Sequence, residues 1–186
     1  MNAFHALSAS RPVRRILRGS ICCTVALGLA ALRAQPTLPP ADPAWGKASD
    51  NKIYAQKLVN DIMATHPDLL SVALHATRPG GTIPEIVAHV QDLIGKKDSE
   101  EDLSVIKQDL TVIGPEMVEH TTQMIPRMVV HTALRDSAGA IIGMAVFSFK
   151  DGPGVDKLTV HTRAARMVDQ LARDIPNSAA LFKLNR

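Results

Sequence analysis

The chain has 186 residues, with 21 Lys+Arg against 18 Asp+Glu, a net charge of +3 and a pI near 9.0. The positive excess sits in the first 34 residues, which hold Arg11, Arg14, Arg15, Arg18 and Arg33 and no acid; the rest carries 16 basic and 18 acidic residues, a balance of −2. This argues against a nucleic-acid partner, which requires a basic patch on a folded surface, while 46% apolar residues exclude global disorder and suffice for the core of one domain.

Residues 1–34 have the layout of an export signal. A basic stretch is followed by Ile21 to Leu32, twelve residues without a charge, short of the ~20 that span a bilayer as a helix. Cleavage is expected after Ala34, with Leu32 at the −3 position; an uncleaved anchor is the alternative. Arg14-Arg15 raises the twin-arginine route, but Arg18 stands where an apolar residue would be wanted. Cys22 and Cys23 both lie in the apolar stretch, without the order of a lipobox. The mature protein would then be free of cysteine, without disulfides, thiolate metal sites or a cysteine nucleophile. No later apolar run reaches 18 residues, so no membrane span is expected after cleavage and the product should be periplasmic or secreted. Residues 35–48, with Pro36, Pro39, Pro40 and Pro43, read as an extended linker, which Trp45 would dock onto the domain.

A domain is expected over residues 49–182. Ser49 or Asp50 can cap a first helix carrying Ile53, Tyr54, Leu58, Val59, Ile62 and Met63, ended at Pro67. Leu70 to Thr77 reads as a strand closed by Pro79-Gly80-Gly81. Ile83 to Val90 reads as a second, interrupted early by Pro84. Ser99 with Asp102 resembles a capping box, opening a helix with Leu103, Ile106 and Leu110. Residues 111–124 are ambiguous, with Gly114-Pro115 as a break and a helical turn possible after it. Met128 to Arg135 and Ala140 to Lys150 form a hairpin around Asp136-Ser137-Ala138-Gly139. Asp151-Gly152-Pro153-Gly154 breaks the chain, and Val160, Ala164, Met167, Val168 and Leu171 stripe a closing helix ended by Ile175-Pro176. Strands joined by short turns are antiparallel, so the fold class is α+β.

Three stretches carry a resemblance: Leu70 to Gly81, Ile94 to Leu103, and Leu134 to Gly143 with its Asp136 and Gly139 turn. They resemble small exported bacterial proteins with a single Cache-like domain, an extracytoplasmic relative of PAS sensor domains. The resemblance covers roughly residues 50–182. It implies an antiparallel sheet with a long N-terminal helix and flanking helices, the other sheet face cupping a small ligand. Receptor members add a second membrane span and a kinase or chemotaxis module, which this sequence lacks. The implied role is therefore sensing, with the ligand state presented to a membrane-bound signalling partner; a structural or protein-interaction module of the cell envelope is the alternative. The amino-acid-binding motif of some Cache receptors has no counterpart here, so the resemblance assigns no ligand residue.

Candidate chemistry comes from strand parity. Six histidines follow the leader: His66, His75, His89, His120, His131 and His161. If Val72, Leu74 and Ala76 face the helices, His75 points to the opposite face; the same alternation puts His89 and His131 there too. The expected site is a polar pocket in which His75, His89, His131 and Arg127 bind a small molecule, with a carboxylate as the expected class. Solvent-facing strand histidines are the plainer reading. A metal or haem held by His75, His89 and His131 is a further alternative, although no His pair has i, i+4 spacing and there is no HExxH. No motif calls for a cofactor. Lys96 to Asp102 reads as a charge cluster at a helix start, Asp136 as a turn residue, and Met117, Met124 and Met128 as core filling. The glycines lack a phosphate-loop pattern, and no serine sits in a GxSxG elbow, so no enzymatic activity is expected.

Overall fold

The computed structural model describes residues 52–90, 93–120, 123–150, 152 and 155–185, with backbone alone at 117–120 and 123–125. The expected leader, linker and Trp45 contact lie outside the described residues, as do the side chains of Met117 and Met124; the first helix takes Ile53, not Ser49 or Asp50, as its N-cap, without a side-chain cap bond. Helix α1 is Tyr54–Thr65. It ends at His66, the residue before Pro67, which leaves the helical region at φ −127° and ψ 77°.

Strand β1 (Leu69–Ala76) and strand β2 (Glu85–His89) form an antiparallel pair. Pro84 stands just outside β2, where its missing N–H breaks no ladder bond. The outer edge of β2 is closed in two ways. The chain turns back along it, so that the Ile86 N–H donates to Lys96 O, the Gly95 N–H to Ile86 O, and the Asp98 N–H to Pro84 O. Further along, the buried Gln56 amide of α1 receives the His89 N–H and donates to the His89 carbonyl. An edge closed this way offers no template for another chain.

Helix α2 (Glu100–Gln108) starts with the expected capping box: the Asp102 N–H donates to the Ser99 hydroxyl, and the Ser99 N–H to the Asp102 carboxylate. Asp109 closes it in the left-handed region, φ 54°. Residues 111–120 then form strand β3 (Thr111–His120), which corrects the expected break and helical turn. Gly114 and Pro115 are tolerated because β3 is an edge strand, bonded to β4 alone.

Strand β4 (Gln123–Arg135) and strand β5 (Ile141–Lys150) make the expected hairpin. Its turn is held by Asp136, whose Oδ1 accepts from the Ala138 and Ala140 N–H groups, with Gly139 at φ 83°. Gly143 has a different reason. Here β5 passes so close to β1 that a Cβ would stand 1.9 Å from the His75 carbonyl oxygen. Helix α3 (Lys157–Asp174) is capped by Asp156 and buries Val160, Ala164, Met167 and Leu171. A 3-10 turn, Ser178–Phe182, follows.

The five strands form one antiparallel sheet in the order β2-β1-β5-β4-β3, so the domain is α+β. β2 and β3 are opposite edges, and the link between them carries α2 across the sheet, over β4 and β5. The apolar core lies on the other face, where Val72, Leu74, Val130, Leu134, Phe147 and Phe149 meet α1 and α3. No helix among the described residues is long and apolar enough to cross a membrane.

Candidate functional site

The register decides which side chains share the α2-covered face. Paired residues project to the same side. Ala73 pairs with His89 and with Val146, which pairs with His131, so His89, Ala73, Val146 and His131 form one row. His75 lies in the next row with Met144 and Ala133, and Ser148 with Val129 in the row on the other side. Arg127 follows at the β3 end, opposite Glu116. His75, His89 and Ser148 are buried.

Along this face runs a chain of ionisable groups. His75 Nδ1 is 2.7 Å from Asp98 Oδ1. The Asp98 side chain is wholly buried, and its Oδ2 has no hydrogen-bond partner. Asp102, one turn into α2, directs Oδ2 to its capping box and Oδ1 toward His131 Nδ1, at 3.7 Å. His131 Nε2 lies 3.1 Å from Glu116 Oε1. The Arg127 guanidinium donates to Glu116 Oε2 at 2.9 Å and to the Ser148 hydroxyl at 3.0 Å, while its buried Nε has no partner.

The charges of this chain reinforce one another. Burial opposes a charged His131 ring, but the carboxylate of Asp102 at ion-pair distance and the bond to Glu116 outweigh it and push the pKa up to about 9. Burial likewise opposes ionisation of Asp102; His131 and the bonds from Ser99 overcome it and hold the carboxyl well below the usual range. Glu116 is lowered by its bond to His131, against some burial, and further by Arg127. At neutral pH His131 is therefore an imidazolium between two carboxylates.

Of the four residues singled out from the sequence, His131 and Arg127 meet at Glu116. His75 joins them through Asp98 and Asp102, and His89 stands apart. Three strand spacings separate His89 from His131, about 14 Å at ~4.8 Å each. One ion cannot take both, so the register breaks up the three-histidine metal or haem arrangement. Asp98 and Asp102, expected only as part of the charge cluster at a helix start, and Glu116, in the stretch expected to break, complete the chain of groups. Asp102 was visible as a capping residue, and that role uses only one of its oxygens. Glu116 would have emerged from strand parity had residues 111–120 been read as a strand. A groove of about 450 Å³ between α1 and α3, lined by Leu58, Ile62, Met167 and Leu171, lies on the other side of the sheet and holds none of these groups.

No protein-family model and no curated protein sequence matches the chain. Solved structures similar to it include the phycocyanobilin-bound GAF domain of a cyanobacterial phytochrome, at 15% identity and a TM-score of 0.43, covering 67% of this chain and 85% of that one. Another GAF domain gives 10% identity and a TM-score of 0.43, over 70% of this chain and 83% of that one. The C-terminal domain of the E. coli transcriptional regulator KdgR gives 11% and 0.38, over 68% and 96%.

Proposed function

We propose that this chain is an extracytoplasmic, PAS/Cache-like binding domain without catalytic activity, taking a small carboxylate on the α2-covered face and presenting its ligand state to a membrane-bound partner. The leader-like residues 1–34 support the location, and the sequence resemblance over residues 50–182 supports the class. One observation carries the ligand: Arg127 and His131, two residues of β4 on one face, both converge on a single carboxylate, Glu116. The Glu116 side chain is 41% exposed at the sheet edge. It occupies the position a ligand carboxylate would take, facing one arm of the Arg127 guanidinium and the His131 imidazolium, while the other arm of Arg127 donates to the Ser148 hydroxyl. Exchange of one carboxylate for another leaves the charge balance of the site unchanged. The tethered Glu116 competes at an effective concentration of order mM, so a successful ligand must add contacts beyond its carboxylate.

The test is a thermal-shift panel of mono- and dicarboxylates, amines and amino acids on ligand-free protein, for the wild type and Glu116→Gln. Binding raises apparent stability by mass action. Carboxylates should raise the melting temperature, and more so in Glu116→Gln, where the internal competitor is weakened. No shift in either protein rejects the carboxylate reading; a shift with amines alone would replace it with a cationic ligand.

A further inference from the structure

We propose that His75, Asp98 and Asp102 form a binding site for one divalent transition-metal ion. It does not depend on the carboxylate reading, because none of the three donors is among the groups that would hold the carboxylate. Each offers one ligand atom, and these atoms all lie within 4.8 Å of one another. Among the described residues this is the one group of its kind. The donors come from three separate places: β1, the segment that turns back along β2, and the first turn of α2. Each is positioned by backbone. His75 sits in the β1 ladder between β2 and β5, Asp98 is tied to Pro84, and Asp102 belongs to a capping box.

The second observation is Asp98 itself. Its side chain is fully buried, one oxygen faces His75, and the other has nothing to accept from. A buried carboxylate oxygen without a donor is costly. A cation at the centre of the cluster would supply the missing partner. The donor set then selects the ion. One imidazole with two carboxylates suits Zn²⁺ or Mn²⁺. Ca²⁺ takes six to eight oxygens, and Mg²⁺ avoids imidazole in favour of water and carboxylate. Three protein ligands leave at least one position for water or an exogenous ligand. His131, 3.7 Å from Asp102 Oδ1, orients that carboxylate from behind.

The experiment uses the full chain, stripped with chelator and with Cys22 and Cys23 alkylated so that no thiolate competes. It is titrated with Zn²⁺ and Mn²⁺ by calorimetry and by competition with a chromophoric chelator, with Mg²⁺ and Ca²⁺ as comparison ions. One Zn²⁺ per chain is expected, with Asp98→Asn and Asp102→Asn each losing at least the roughly 10–100-fold that loss of an outer-shell partner costs, and Asp156→Ala, at the start of α3 on the other side of the sheet, unchanged. The ¹⁵N resonances of the His75 ring should move on Zn²⁺ addition while those of the exposed His161 do not; this reading needs no variant to fold. Absence of saturable binding, equal affinity in Asp98→Asn and wild type, or a His75 ring indifferent to Zn²⁺ would each overturn the site. With the carboxylate panel run in the presence of chelator, carboxylate binding can fail while Zn²⁺ binding stands, and the reverse.

Discussion

The two faces of the sheet use opposite means of stabilisation. Toward α1 and α3 the strands present Val72, Leu74, Val130, Leu134, Phe147 and Phe149, and the contacts are non-directional. Toward α2 the same strands set His75, His131, Arg127 and Ser148 among Ala73, Val129, Ala133, Met144 and Val146, and the polar contacts there have required partners and geometry. The first face needs volume and apolar character. The second must match donors to acceptors, and it leaves Asp98 Oδ2 and Arg127 Nε unmatched. An apolar face can hold a sheet together unaided. A buried charged face adds little net stability for its desolvation.

The largest expected effect comes from breaking the apolar side. Phe147 is fully buried between the sheet and the helices. Phe147→Ala should cost about 3–5 kcal/mol in urea denaturation, from lost transfer energy and the cavity left behind. This loss should be nearly independent of pH. A loss below ~1 kcal/mol would mean that the helices do not rest on this residue.

The polar face should depend on pH. The His131 pKa rises from 6.5 to about 9 on folding. Its contribution is therefore fully present below about pH 6.5 and is lost as pH climbs through about 9, on the order of 2–3 kcal/mol. Asp102 and Glu116 are shifted down. Their contribution is present above the ordinary carboxylate range and is lost as pH falls through their lowered values. Melting temperature against pH, measured with chelator present, should fall on the alkaline side in wild type and in Phe147→Ala. The fall should be largely absent in His131→Gln. A flat wild-type profile between pH 6.5 and 9 would show that His131 is not held as an ion by its neighbours.

The same division explains what could be read from the sequence. The α3 stripe, the Asp136-to-Gly139 turn and the Ser99–Asp102 capping box are local: the residues that make them lie within a few positions of each other. β3 was not legible, because Gly114-Pro115 break a strand by every local rule, and only its place at the sheet edge excuses them. Glu116 went unrecognised with it. Asp98 was equally out of reach, since it arrives beside His75 through backbone bonds from the returning segment to β2 and Pro84. An apolar face announces itself by periodicity. A polar face is assembled from segments far apart in the chain, and no spacing within one segment records it.

The smallest effect compares two helix caps on opposite sides of the sheet. Ser99 caps α2, and its hydroxyl also donates to Asp102 Oδ2 at 2.9 Å. Asp156 caps α3, accepting from the Thr159 N–H at 2.8 Å. Removing either, as Ser99→Ala or Asp156→Ala, should cost about 1 kcal/mol in denaturation. The consequences for binding should differ. Without Ser99, the Asp102 N–H loses its acceptor and the carboxylate one of its donors, so the oxygen aimed at His131 is less firmly placed. Zn²⁺ affinity should fall several-fold in Ser99→Ala and stay unchanged in Asp156→Ala. Equal losses in both would mean that binding follows overall stability. Unequal losses would tie the function of the polar face to the helix start that carries its acids.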